Sequence, residues 1–202
     1  MPHKHGTILC SAITIIILLA AHIASAELPD GYIAKDLEPL GGELLIPKSW
    51  HFSGGMTNTG FLYTASKELR VDGSYDTGFR IQGIMKIREL YRISPLDAVI
   101  QNVEAKKKEA VEIIQDHSEP QEGLFEKRCL ETIEKIPSSG GTVSYHVVSS
   151  FYWSDKMDIM VVLTFGAPVS EWGEEVKVYN VIKNFTLFDK AKYELNLKSS
   201  QN

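Results

Sequence analysis

A chain of 202 residues with 44% hydrophobic and 23% charged side chains has the proportions of a folded globular protein. It is too apolar for a disordered chain and too mixed for a polytopic membrane protein. Its formal charge of −5 argues against a nucleic-acid binder that relies on a general positive field.

Residues 1–26 read as an export leader. Lys4 gives a positive start. The stretch from Gly6 to Ala26 carries no Lys, Arg, Asp or Glu and is densest in apolar residues from Ile13 to Ala21. It closes on Ala24-Ser25-Ala26, the small-x-small pattern of a signal-peptidase site, before Glu27 and Pro29. The expectation is a signal peptide cleaved after Ala26. As a retained anchor the stretch is marginal: a spanning helix needs about 20 apolar residues, and Ser11, Thr14 and His22 interrupt this one. Cys10 stands at the start of the apolar region and not at its end, so it is a poor lipidation site. No second apolar run of that length follows, and no transmembrane segment is expected after cleavage. Cleavage would leave His51, His117, His146 and Cys129 as the histidines and cysteine of the mature chain. A lone thiol makes no internal bridge, so hydrophobic burial has to hold the fold.

Residues 27–188 are expected to form a single α/β domain without repeats, and residues 189–202 a polar C-terminal tail. A lead marked by Pro29, Asp30-Gly31, Pro39 and Gly41-Gly42 enters a short apolar run, Glu43 to Pro47. Ser53-Gly54-Gly55 reads as a loose turn. Gly60 to Ser66 is a predicted strand with Phe61, Tyr63 and Ala65 on one side. Phe79, Ile81, Met85 and Ile87 alternate with Arg80, Gln82, Lys86 and Arg88, the period of a half-buried strand. A polar loop with Asp72-Gly73 and Thr77-Gly78 joins the two as an antiparallel hairpin.

The clearest helix follows. Ser94 is its N-cap, Pro95 its first residue, and Asp97 stands three past the cap. Leu96, Val99, Ile100, Val103, Ala110, Val111 and Ile114 recur near the helical period, with Lys106, Lys107 and Lys108 mostly on the wet side. Val111 to Ile114 fits either the end of this helix or the start of an extended segment. After an acidic, breaker-rich stretch from Asp116 to Gly123, three strands are expected. Phe125, Cys129 and Ile133 share a face of the first. Val143, Tyr145, Val147, Phe151 and Trp153 share a face of the second, opposite His146 and Ser150. The third, Met157 to Phe165, is apolar on both faces and belongs in the middle of the sheet under helical cover. A last helix begins near Ser170 with Glu171, Glu174 and Glu175 at its positive end and buries Trp172, Val176, Tyr179, Ile182 and Phe185. The short links favour hairpins, so the fold class is α+β: an antiparallel sheet flanked by helices.

Pro47-Lys48-Ser49-Trp50 leading into strands, the helix opening Ser94-Pro95-Leu96-Asp97, the paired strands ending in an apolar one, and a final helix closing on Ile182-Lys183-Asn184-Phe185 together resemble the PsbP/Mog1-like α/β/α sandwich superfamily. The resemblance covers most of residues 40–188. It implies an antiparallel sheet between helices and a role in binding, assembly or chaperoning, and it transfers no catalytic residue.

The reactive residues form no recognised motif. His51, His117 and His146 are scattered. Asp116-His117 with Glu119 and Glu122 is the densest ligand-bearing cluster, and in an acidic loop it reads as solvated surface. It also lacks the alternating acids and glycine hinge of a calcium loop. Cys129 with His117 or His146 is a conceivable nucleophilic pair, but its apolar parity with Phe125 and Ile133 favours a buried, inert thiol. There is no G-x-S-x-G elbow, and Ser53-Gly54-Gly55 through Gly60 has neither P-loop nor dinucleotide spacing. Trp50, Phe52, Tyr63 and Tyr91 with Arg80, Lys86, Arg88 and Arg92 form either a patch for an anionic or peptide ligand or an ordinary solvated strand face. Asn184-Phe185-Thr186 matches a glycosylation sequon. No catalytic, cofactor or metal residue is assigned. The expected role is an exported, non-enzymatic binding, assembly or chaperone-like protein of the bacterial envelope, periplasmic or secreted. Its expected partner is an envelope protein or membrane complex, not nucleic acid. The alternatives are a periplasmic hydrolase with a non-motif site (Asp116, His117 or His146) or a carrier of a small ligand or metal.

Overall fold

The largest feature is a seven-stranded antiparallel sheet centred on the strand expected to be wet on neither face. The computed structural model describes residues 28–69, 75–138 and 141–199. The expected leader and the Asp72-Gly73 part of the first hairpin loop lie outside the described residues. The central strand is β9 (Ile159–Pro168). It pairs on one side with β5 (Gly78–Met85), which continues to β4 (Gly60–Ser66) and β3 (His51–Thr57). On the other side it pairs with β8 (Gly141–Ser154), then β7 (Phe125–Ser138) and β6 (Ala110–Glu122). A three-stranded sheet is made of β1 (Tyr32–Leu37), β2 (Gly41–Pro47) and β10 (Thr186–Phe188) in the order β1-β2-β10. Every described strand pair is antiparallel. The fold class is therefore α+β, an antiparallel sheet with helices packed on it.

Side-chain alternation divides the core between the two faces of the main sheet. Phe61, Tyr63 and Ala65 of β4 are buried with Phe79 and Ile81 of β5 and Val161, Leu163 and Phe165 of β9. The three-stranded sheet and helix α3 (Trp172–Ile182) cover this face through Leu37, Leu44, Ile46 and Ile182. On the opposite face Leu130, Phe151, Trp153 and Met160 pack against Val99 and Val103 of helix α2 (Pro95–Glu109), with Ile87 of the short helix α1 (Ile87–Tyr91). Among the described residues the one thiol, Cys129, is buried and unbridged, and apolar burial on both faces of β8 and β9 holds the sheet.

The start of α2 is as expected. The Ser94 hydroxyl accepts from the Asp97 backbone N–H at 3.1 Å, and the Asp97 carboxylate accepts from the Ser94 N–H at 3.4 Å, a reciprocal cap on two otherwise orphaned donors. The buried stripe is narrower than expected. Ala98, Val99 and Val103 face the sheet, whereas Leu96 and Ile100 are exposed. The helix stops at Glu109 and the chain becomes extended at Ala110, so Val111 to Ile114 begin a strand.

Several segments differ from the sequence expectation, each for a local reason. The polar lead contains β1, an edge strand with only Leu37 fully buried. Ser53-Gly54-Gly55 is not a turn but the middle of edge strand β3. Gly54 stands opposite Tyr63, where a side chain would strike the Leu62 carbonyl. The acidic stretch from Asp116 lies in the second half of β6, a 13-residue edge strand whose partner is β7; an edge strand tolerates Pro120 because one side of it needs no ladder donor. Ile87 leaves the strand pattern: the chain turns at Lys86, whose φ is +58°, and Ile87 is buried from α1. Residues expected as a polar tail form helix α4 (Lys190–Ser199), held by Tyr193 against Phe188 at 5.4 Å between ring centroids and by the Asn196 side chain donating to the Pro39 carbonyl at 3.4 Å.

Candidate functional site

Strands β6, β7 and β8 run antiparallel side by side, and their register aligns residues that are far apart in sequence. His117 is opposite Cys129, which is opposite Ser150. Glu119 is opposite Lys127 and then Tyr152, and Gln115 is opposite Glu131 and then Val148. The two-residue period places all nine on the face that α3 covers. Between that face and α3 lies a cleft of about 470 Å³ lined by His117, Cys129, Glu131, Trp172, Tyr179 and Lys183, among others. A second hollow of about 430 Å³ continues towards β10 over Leu124, Phe125, Tyr152, Phe185 and Phe188. Lys127, Lys183 and Asn184 line both, so the two form one groove along the C-terminal end of α3.

At the β6 end of the cleft, one ligand atom each from His117, Glu119 and Cys129 lie within 4.8 Å of one another. His117 Nε2 is 3.7 Å from Glu119 Oε1, and Glu119 Oε2 is held at 2.8 Å by Lys127 Nζ. His117 Nδ1 is shielded from solvent and has no hydrogen-bond partner among the described residues. Cys129 is buried, and burial, followed by the charge of Glu119, pushes its thiol above the ordinary value; the Ser150 hydroxyl works against this. The thiol is thus protonated at neutral pH, which is not the state of an activated nucleophile. Burial pushes the Tyr179 phenol up to about 12, so it stays neutral.

At the other end, the His146 ring lies against Trp172 with centroids 3.7 Å apart and planes 6° from parallel, and its Nε2 is 2.5 Å from Glu131 Oε1. His146 is four residues along β8 from Ser150, about 13 Å at strand spacing. Cys129 is therefore joined to His117 and not to His146.

Strand alternation also splits the Asp116-His117-Glu119-Glu122 cluster. His117 and Glu119 face the cleft. Asp116 faces the α2 side, where its carboxylate takes both Arg128 donors at 2.8 Å and lies 2.6 Å from Lys107. The Arg128 bonds, then Lys107, hold Asp116 down to about 2. The Glu122 side chain lies outside the described residues. His51 is on β3, at the opposite edge of the main sheet.

The proposed aromatic and basic patch is dispersed. Trp50 packs on Phe79 and Phe165, and Phe52 stacks on Tyr63, all on the core face that carries the three-stranded sheet. Arg80 bonds Gln82 on the opposite face, Arg88 pairs with Asp155 and Asp158, and Lys86 with Glu89. Asn184 of the sequon is exposed just past α3, and its side chain donates to the Asn180 carbonyl at 2.9 Å.

Lys127 and Glu131 were not singled out in the sequence, and Lys183 and Asn184 entered there only through the closing motif of the last helix and the sequon. The signal was present in β7, where Lys127 and Glu131 share the parity of Cys129. An apolar face interrupted by two charges is the pattern of a strand that lines a cleft.

No protein-family model matches the sequence, and no curated protein matches it. Among the solved structures similar to the chain are a PsbP and a Mog1 protein. The cyanobacterial PsbP (CyanoP) of Synechocystis sp. PCC 6803 is 11% identical, with 78% of this chain and 93% of that one covered at a TM-score of 0.47. The Ran-binding protein Mog1p of Saccharomyces cerevisiae is 11% identical, with 80% and 97% covered at 0.46. LpqN of Mycobacterium tuberculosis, involved in cell envelope biogenesis, is 14% identical, with 78% and 91% covered at 0.45. Among the described residues no helix is long and apolar enough to cross a membrane.

Proposed function

We propose that the chain is an exported, non-enzymatic binding or assembly protein of the bacterial cell envelope that holds an extended segment of another envelope protein in the groove beside α3. The groove carries this reading. Its floor is aromatic, from Tyr152, Phe185 and Phe188, and its rim carries Lys127, Lys183 and Asn184. Lys127 already neutralises Glu119, whereas Lys183 makes no ion pair among the described residues and stands 5.8 Å from the Tyr179 ring centroid. A trough with an aromatic floor, a polar rim and a lysine that makes no ion pair among the described residues fits a peptide bearing a large apolar side chain and a carboxylate. The leader pattern of residues 1–26 supports export, to the periplasm or beyond. A protonated Cys129 and a His146 engaged by Glu131 and Trp172 weigh against a hydrolase built on those residues.

Photo-crosslinking in intact cells tests the reading. A photoreactive residue at Asn184 or Leu124, in the groove, is expected to give the same discrete protein adduct. At Ile100, on the outer side of α2, it is expected to give none. Adducts at Ile100 alone, or no adduct at either groove position, would contradict the proposal.

A further inference from the structure

Two charged strands and a buried sulfur meet at the β6 end of the cleft in a way that peptide binding does not require. We propose that Cys129, His117 and Glu119 form a binding site for a zinc-like divalent transition metal, its remaining coordination position open to the cleft. The inference is independent of the peptide reading, which concerns the other end of the groove.

The donor set comes first. A thiol, an imidazole and a carboxylate are the three ligand types that zinc takes in sites with one open position, and the sulfur sets the site apart from a chance meeting of surface histidine and acid. Three protein ligands with a fourth side facing a cleft is the arrangement of a working site, not of a closed structural one.

Geometry comes second. The three ligand atoms lie within 4.8 Å of one another. Ligands at ordinary zinc distances in a tetrahedron are about 3.5 Å apart, so closure asks for about 1 Å of movement. Cys129 is fixed in a buried row of the sheet, but the His117 and Glu119 side chains on edge strand β6 are 39% and 34% exposed and have room to turn inward. The register shift between Glu119 and Glu122 frees the end of β6 from strict pairing.

The surroundings come third. His117 Nδ1 is buried with no partner among the described residues, and a buried polar atom left unsatisfied calls for a ligand. Lys127 holds one oxygen of Glu119 and leaves the other, Oε1, turned to His117; outer-shell bonds of this kind orient metal ligands. Binding forms a metal–sulfur bond as the Cys129 thiol proton passes to solvent, so no oxidant or reductant is needed.

Titration of the purified full-length protein with Co²⁺, followed by displacement with Zn²⁺, tests the site. The expected result is a thiolate-to-cobalt charge-transfer band that saturates at one equivalent and is abolished by one equivalent of Zn²⁺. The band is expected to persist in Cys10→Ser and His51→Ala and to vanish in Cys129→Ser. In His117→Asn and Glu119→Gln, both on the half-exposed edge strand, Co²⁺ affinity is expected to fall at least about tenfold. These two variants keep the test decisive if Cys129→Ser unfolds. The proposal is overturned by Co²⁺ bound without the charge-transfer band, by a band that survives Cys129→Ser, or by unchanged affinity in both β6 variants.

Discussion

The carboxylate of Glu175, buried on α3, lies 2.7 Å from the ammonium of Lys67 just beyond the end of β4. This pair ties the N-terminal end of α3, and so one wall of the cleft, to the main sheet. Glu171 adds a second, more exposed contact to the same lysine at 3.4 Å. Removing the cation leaves a carboxylate out of water without its partner. Lys67→Met is expected to lower stability by about 1–2 kcal/mol, the smaller end of the range because Lys67 is half exposed. In urea denaturation, Lys67→Met combined with Glu175→Leu is expected to recover most of that loss. A double variant no better than the single one would show that the pair is not the tie.

Asp116 makes the fold acid-sensitive. Arg128 and Lys107 hold its carboxyl down to about 2, below its ordinary 3.8. A carboxyl that binds its proton more weakly in the folded state adds stability above its unfolded pKa. That stability drains away as pH falls from about 4 through 2. With the ion pairs partly solvated, the contribution is about 1 kcal/mol. Asp116→Asn is expected to cost about this much at pH 7 and to flatten the stability curve between pH 4 and 2. An equal acid slope in both proteins would refute the assignment.

Gly83 of β5 is opposite Phe61 of β4, and the Phe61 ring occupies the place a β-carbon on residue 83 would take. Gly83→Ala is expected to destabilise by about 1–3 kcal/mol through overpacking. Gly173 in the first turn of α3 has open space around it. There the same change is expected to stabilise by up to about 1 kcal/mol. Thermal melts of the two variants should move in opposite directions.

These positions show which parts of the molecule were legible in the sequence. The alternating strands β4 and β5, the doubly apolar β9 and the Ser94-Pro95-Asp97 cap of α2 announce themselves, because each buries one or both faces or satisfies a fixed set of backbone donors. The edge strands β1, β3 and β6 do not. Strand β6 is exposed along almost its whole length, so its residues carry no period, and its glutamates and Pro120 imitate a loop. Helix α4 has no apolar stripe and is anchored through Tyr193 and Asn196. The meeting of His117 with Cys129 depends on the register between β6 and β7, which shifts at three places. Spacing in the sequence carries no trace of such shifts, so the choice between His117 and His146 as the neighbour of Cys129 had to come from the folded chain.

The central claim is that the groove beside α3 holds a peptide segment of an envelope partner, with Lys183 as its anchoring cation. The measurement that tests this most directly is the affinity of the purified protein for the segment captured at Asn184, comparing the unaltered chain with Lys183→Glu. Lys183 is exposed, so the substitution should leave the melting temperature in place. The account predicts that affinity falls at least about tenfold, equal to about 1.4 kcal/mol, and that the loss shrinks as salt is raised. Unchanged affinity in a Lys183→Glu protein that melts normally would contradict it.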